Sequence, residues 1–285
     1  SLNISTSMVE PYNSVLASSE HIEYTDATIA FDNEALYDLI TRKLDIQRPT
    51  YTNINRVIAN VIGSETAPLR HNGPLTRTLD ELQLNLISYP RLHFLQTSIS
   101  PMLSYGNVYH ESLTVSELTA ATFDPDSYML KISKRKDLYL ANSLIYQGDV
   151  TLRDINAAIA DLKRPKKMSI NFENLQPDTF KISVISSPPP SIPGGDLNKF
   201  PRTACMIANS TSFGQVFKRM IRHSDKLWSK RAFAHWFVGE GMEEQDLSEA
   251  RENLVCQYQD YKAINKEFKA RQVDATQDKE STLKQ

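Results

Sequence analysis

The chain has 285 residues, of which 40% are hydrophobic and 23% charged, and its formal net charge is −2. That length suits one large domain or two to three small ones, and the composition supports a packed core. The balanced charge gives no general attraction to nucleic acid or to a membrane surface, and no apolar run is long enough to span a bilayer.

The chain opens with SLNISTSMVEPYNS, a polar, mixed stretch without a secretory signal and without an initiator Met, as expected of a truncated or processed terminus. In NEALYDLITRKL, Leu36, Leu39, Ile40 and Leu44 recur on one helical face behind Asp32 or Asn33 as N-cap. Pro49 then announces a second helix over 51–70, with Ile54, Val57, Ile58, Val61 and Ile62 as its apolar stripe. Leu79, Leu82 and Leu86 predict a short helix. LRDINAAIADLK and SFGQVFKRMIRH predict two more. Strands are expected at 92–98, 138–146, 168–172, 180–186 and 203–210, each short, apolar and bounded by turn residues. Strands that alternate with helices point to an α/β fold, a mixed sheet flanked by helices. Residues 211–262 read as all-helical, and the polar end after 262 as a disordered tail.

Chemistry-bearing clusters are few. Cys205 and Cys256 have no metal or disulfide spacing and read as reduced, half-buried thiols. The six histidines likewise show no metal-ligand spacing, so no metal site is expected. The adjacent pair Gly194–Gly195 lies in a proline-rich loop, Ser186–Arg202, instead of between a strand and a helix. Nothing in the sequence therefore cradles phosphates. That loop, with five prolines, reads either as a passive surface loop or as one that plugs a pocket.

VEPYNS (9–14), RPTYTN (48–53), YPRLHF (89–94), PGGDL (193–197) and KRAFAHWFVGEGMEE (230–244) resemble tubulin, in the family's order and near-constant spacing. The resemblance runs from Ser5 to about Tyr261 and covers roughly the last two-thirds of a tubulin; the part bearing the phosphate loop has no counterpart here. The proline-rich loop and Glu81 resemble alpha-tubulin, since beta-tubulin has an open, taxane-binding pocket in place of the loop and a lysine in place of the glutamate. The fold so implied is tubulin-like. Residues 1–32 would be a remnant of the GTP-binding domain and 33–210 an intermediate mixed-sheet domain that includes a core helix at 51–70. Residues 211–262 would form a C-terminal helical hairpin and 263–285 a tail.

The resemblance also implies site residues. Ser5, Thr6 and Glu10 match the ribose-contacting positions, and Asn33, Tyr51 and Asn55 the guanine-contacting ones; without it, Asn33 and Tyr51 read only as helix-start residues. The cofactor would be GTP, with its Mg2+ held by the absent N-terminal part. Glu81 matches the catalytic glutamate that acts in trans on the neighbouring subunit's GTP, so GTPase activity would belong to the polymer. Tyr109, His110 and Glu111 match a lateral contact. The acids Glu243, Glu244, Asp246, Glu249 and Glu252, behind the aromatic RAFAHWF, match the surface read by motors and associated proteins. On their own they read as the solvated face of an amphipathic helix whose stripe is Leu247, Ala250, Leu254, Tyr258 and Tyr261. Phe233, Trp236 and Phe237 are expected to pack in the helix before it, with Gly239 and Gly241 making the turn.

Partners so implied are beta-tubulin, lateral alpha-type subunits, motors and microtubule-associated proteins, in the cytoplasmic cytoskeleton, with no nucleic acid and no membrane. The departures are Thr78 where alpha-tubulin has an aspartate, Leu175 where it has a tryptophan, and an end, residues 262–285, with six basic against four acidic residues. Thr78 puts full hydrolytic activity in doubt, and the tail removes the usual acidic terminus. Two functions remain. One is a microtubule subunit that binds GTP and supplies Glu81. The other is a divergent tubulin that caps or regulates polymer ends without its own nucleotide. An independent enzyme is disfavoured, because no nucleophile–base pair is visible.

Overall fold

The computed structural model describes residues 7–71, 78–104, 113–133, 138–163, 171–172, 180–189, 195 and 197–282, with side chains through 271. Ser5, Thr6, Tyr109, His110, Glu111 and Leu175 lie outside the described residues, as does part of the proline-rich loop. The chain divides into two compact units. One is essentially Asp26–Ser210; the other joins the N-terminal residues up to Thr25 with Thr211–Gln285.

The first unit is built on a mixed sheet. Its strands are β1 (Thr28–Ile29), β2 (Phe94–Ser100), β3 (Leu138–Gly148), β4 (Asn171–Phe172), β5 (Phe180–Ile185) and β6 (Arg202–Ser210). The order is β1-β2-β6-β3. Beyond β3, the short β4 pairs with its start and β5 with the rest. β6 runs antiparallel to both β2 and β3, whereas β1, β4 and β5 join in parallel. Every residue of β2 and β3 is buried, as expected of central strands covered on both faces.

One face is covered by α2 (Asn33–Lys43), α3 (Tyr51–Glu65) and α5 (Leu79–Leu86). α2 starts where Asp32 Oδ1 accepts the Glu34 N–H at 3.1 Å, and it buries Leu36, Leu39 and Ile40. α3 starts with a capping box in which Asn53 Oδ1 accepts the Thr50 N–H at 2.7 Å. Ile54, Val57 and Val61 then meet Leu95, Ile99, Cys205 and Ile207 of the sheet. Two expectations for this helix need correction. Ile62 is 46% exposed, so the buried stripe is narrower than the run of apolar residues suggests. The helix also breaks at Thr66 into a separate turn, α4 (Ala67–Arg70). Pro68 accounts for the break, because it has no N–H for the Ser64 carbonyl and its ring crowds that carbonyl. The opposite face carries α6 (Val115–Thr122) and α7 (Leu152–Leu162), which pack on each other. There the Thr119 hydroxyl meets the buried Tyr146 hydroxyl at 2.8 Å, and burial pushes Tyr146 up to about 12.

The second unit packs α1 (Glu10–Tyr24), α8 (Gly214–Trp228) and α10 (Glu244–Thr282) together, with the short α9 (Ala234–Gly239) between the last two. Tyr12 is its hub. The ring is fully buried, stands edge-on to Trp228 and Phe237, and its hydroxyl donates to the Ala232 carbonyl at 3.0 Å. Helix α1 thus groups by contact with the C-terminal helices, whereas the sequence reading set residues 1–32 apart. α10 also continues to Thr282, through the residues expected to form a tail. Among the described residues no helix is long and apolar enough to cross a membrane.

Candidate functional sites

Glu81 sits in the first turn of α5. Thr78 caps this helix, its Oγ1 accepting the Glu81 N–H at 3.2 Å. A threonine therefore does the capping that an aspartate does at such a position, without adding a charge beside Glu81. Glu81 is exposed, as are Leu79 and, at 81%, Leu84. The helix is held to the sheet at its other end. Leu86 is fully buried, and Asn209 of β6 donates from Nδ2 to the Leu86 carbonyl at 3.1 Å and to the Leu92 carbonyl at 2.7 Å. Asn209 is a positioning residue that the sequence reading missed. Its one signal was an amide inside an apolar strand, where asparagine is disfavoured.

The guanine-type positions fall on two neighbouring helices of the same unit. Tyr51, 65% exposed, and Asn55, also exposed, stand one turn apart on one face at the start of α3. Asn33 is the half-buried first residue of α2, which packs on α3. An exposed phenol ring and an amide at that spacing offer a stacking face beside a donor–acceptor pair. Glu10 opens α1 and belongs to the other unit.

The acidic run lies on α10. Glu243, Glu244, Asp246, Glu249 and Glu252 are all exposed, while Leu247, Ala250, Leu254 and Tyr261 are buried. Part of this charge is used internally. Glu244 pairs with Arg231 at 2.5 Å, Asp246 accepts the Glu243 N–H at 3.0 Å, and Glu249 accepts from Gln245 at 2.7 Å. Arg251 forms a two-pronged pair with Asp225 of α8. Trp236 departs from expectation. It is 54% exposed and rests on the Phe233 ring, 4.8 Å away, and on the His235 edge, while Phe233 itself takes a left-handed conformation (φ 61°) just before the short α9. Gly241, at φ 95°, makes the following turn.

The described part of the proline-rich loop walls a cavity of about 240 Å³, together with Leu44, Arg56, Asn60 and Met102. Asn198 holds it there by donating to the Leu103 carbonyl at 2.8 Å. The loop's end is fixed by close contact. A Cβ on Gly148 (φ +94°) would fall 2.0 Å from the Pro201 carbonyl oxygen.

Cys205 is buried and Cys256 exposed, so the two thiols differ more than the sequence suggested. Burial, and then the nearby Glu65, hold the Cys205 thiol well above its ordinary range. Among the described residues no group of three or more His, Cys, Asp or Glu is placed to hold a metal ion.

Residues 90–222 match the family model described as the tubulin C-terminal domain. The match begins just after α5 and ends within α8. Glu81, the guanine-type residues and the acidic run all lie outside it.

Proposed function

From the similarity of residues 90–222 to the tubulin C-terminal domain, we propose that this protein is tubulin-related and works by docking onto another tubulin-type subunit. In this reading it caps or regulates polymer ends and carries no nucleotide of its own on these residues. The observation that carries the reading is the α5 surface. Glu81 and Asp80 are exposed there together with Leu79 and Leu84, on a helix fixed to the sheet by Asn209. An exposed, pre-positioned surface of two leucines and two carboxylates suits contact with a neighbour, and Glu81 would orient water at the neighbour's GTP.

A second reading is favoured by the exposure of Tyr51 and Asn55 on one face. Here the same residues form part of an alpha-type microtubule subunit. It would bind guanine with Asn33, Tyr51 and Asn55, the rest of the GTP and its Mg2+ held by a phosphate-binding part. It would pair with beta-tubulin and lateral neighbours and present the α10 acids to motors and associated proteins. The chain would then comprise the end of a GTP-binding domain, an intermediate domain and a C-terminal helical hairpin. Both readings place the protein in the cytoplasmic cytoskeleton.

Guanine nucleotide released from the purified 285-residue chain separates the two. The capping reading expects essentially none, and the subunit reading expects about one per chain. GTP hydrolysis by tubulin mixed with the chain tests Glu81. Glu81→Ala should lower any hydrolysis that the parent stimulates, and an unchanged rate would remove the catalytic role.

A further inference from the structure

Glu65 is the last residue of α3 and is only 8% exposed, although most glutamates lie at the surface. Its side chain enters the core between α3 and the sheet. Thr97 of β2 and Cys205 of β6 lie beside it. Glu65 Oε1 and Thr97 Oγ1 are both buried and close to each other without a well-formed hydrogen bond to any group of the protein. Among the described residues, no cation of a neighbouring element is paired with the carboxylate. Arg70 of α4 is turned to the Gly63 carbonyl. The charged groups Glu34, Asp38 and Arg42 of α2 are engaged at the surface with Lys131 and Asp126. Asp80 and Glu81 of α5 are exposed, and β3 adds Ala141 and Ile145 to this core. Among the described residues Cys205 is therefore the titratable group beside Glu65, and burial keeps its thiol neutral. The carboxyl also sits at the negative end of its helix, which further disfavours ionisation.

We propose that Glu65 is a proton-dependent latch that keeps the C-terminal turn of α3 docked on β2 and β6 when protonated and loosens it when ionised. A buried, uncompensated carboxylate is costly, whereas the protonated acid has a hydroxyl to donate to a nearby acceptor. Burial pushes Glu65 up to about 7, partly offset by Thr97. The sign follows from linkage. The native state holds a proton that the opened state releases, so docking is tightest below the ordinary glutamate range. It weakens as pH rises toward 7 and levels off above that. The same helix carries Tyr51 and Asn55 at its start and Arg56 and Asn60 in the cavity wall, so the latch joins proton binding to that whole face.

The two cysteines provide the test. In the full chain, the alkylation rate of buried Cys205 is measured against exposed Cys256 from pH 5 to 8.5. The ratio is expected to rise on the order of 100-fold between pH 5 and 7 and then flatten. In Glu65→Gln it should stay nearly level. A ratio that is flat in the parent, or that rises equally in Glu65→Gln, overturns the latch. Should Glu65→Gln not fold, Glu65→Leu and amide exchange of residues 61–66 in the parent serve instead. Exchange in excess of the intrinsic pH effect, growing to pH 7, supports the latch; its absence overturns it.

Discussion

Asn209 and Glu65 show how much of this molecule rests on polar groups placed inside the sheet core. Asn209 spans two carbonyls that would otherwise be buried without donors. Asn209→Ala should therefore cost about 1–3 kcal/mol, read as a lower denaturant midpoint at unchanged slope. Glu81, exposed on the helix that Asn209 holds, should tolerate Glu81→Gln with a stability change within about 0.5 kcal/mol. A large loss in that variant would show that Glu81 is a structural residue. Glu65 gives the molecule a pH signature of opposite sign to that of a paired carboxylate. Its folded-state value, raised to about 7, means that stability is greatest below the ordinary glutamate value, falls toward neutrality and is flat above. The total change is on the order of 3 kcal/mol and should disappear in Glu65→Gln. Equal pH profiles for parent and variant would contradict this. Neither residue's role was legible in the sequence. An amide or a carboxylate in a one-dimensional pattern does not reveal which strands will surround it, and here the surroundings come from residues 97, 205 and 92, far away along the chain.

Elements were more readable than residues. The stripes of α2, α7 and α8, and strands β2, β3, β5 and β6, follow from apolar spacing, because in each the pattern extends over several turns or pairings. The failures are local and have identifiable causes. Pro68 ends α3 early. Trp236 of α9 is mostly exposed and rests on Phe233, which has positive φ, instead of entering the core. A six-residue helix is too short for its apolar residues to define an inner face. α10 combines both cases, with a buried stripe legible in sequence and an acidic face whose internal pairings were not. Since Glu244 and Glu249 are exposed, Glu244→Lys with Glu249→Lys should change stability little, the Arg231 pair being a surface one. Binding of a basic partner surface should fall and lose much of its salt dependence. Unchanged binding of motors or associated proteins would leave these acids as a solvated face.

At the scale of the whole molecule, each unit exposes large apolar side chains: Tyr51, Ile62, Leu79 and Leu84 in one, Met8, Tyr24 and Trp236 in the other. This suits a protein whose surfaces work in contact with others, and predicts poor solubility of the isolated chain. A monodisperse, cooperatively melting chain at high concentration would count against it. The matched domain spans 90–222, and Glu81, Tyr51, Asn55 and the α10 acids lie on either side of it. The most direct test of end docking is the amount of chain bound to tubulin polymers of fixed mass, before and after shearing to multiply their ends. Binding should rise in proportion to the number of ends and saturate well below one chain per subunit. Binding that follows polymer mass, or none at all, would contradict the account.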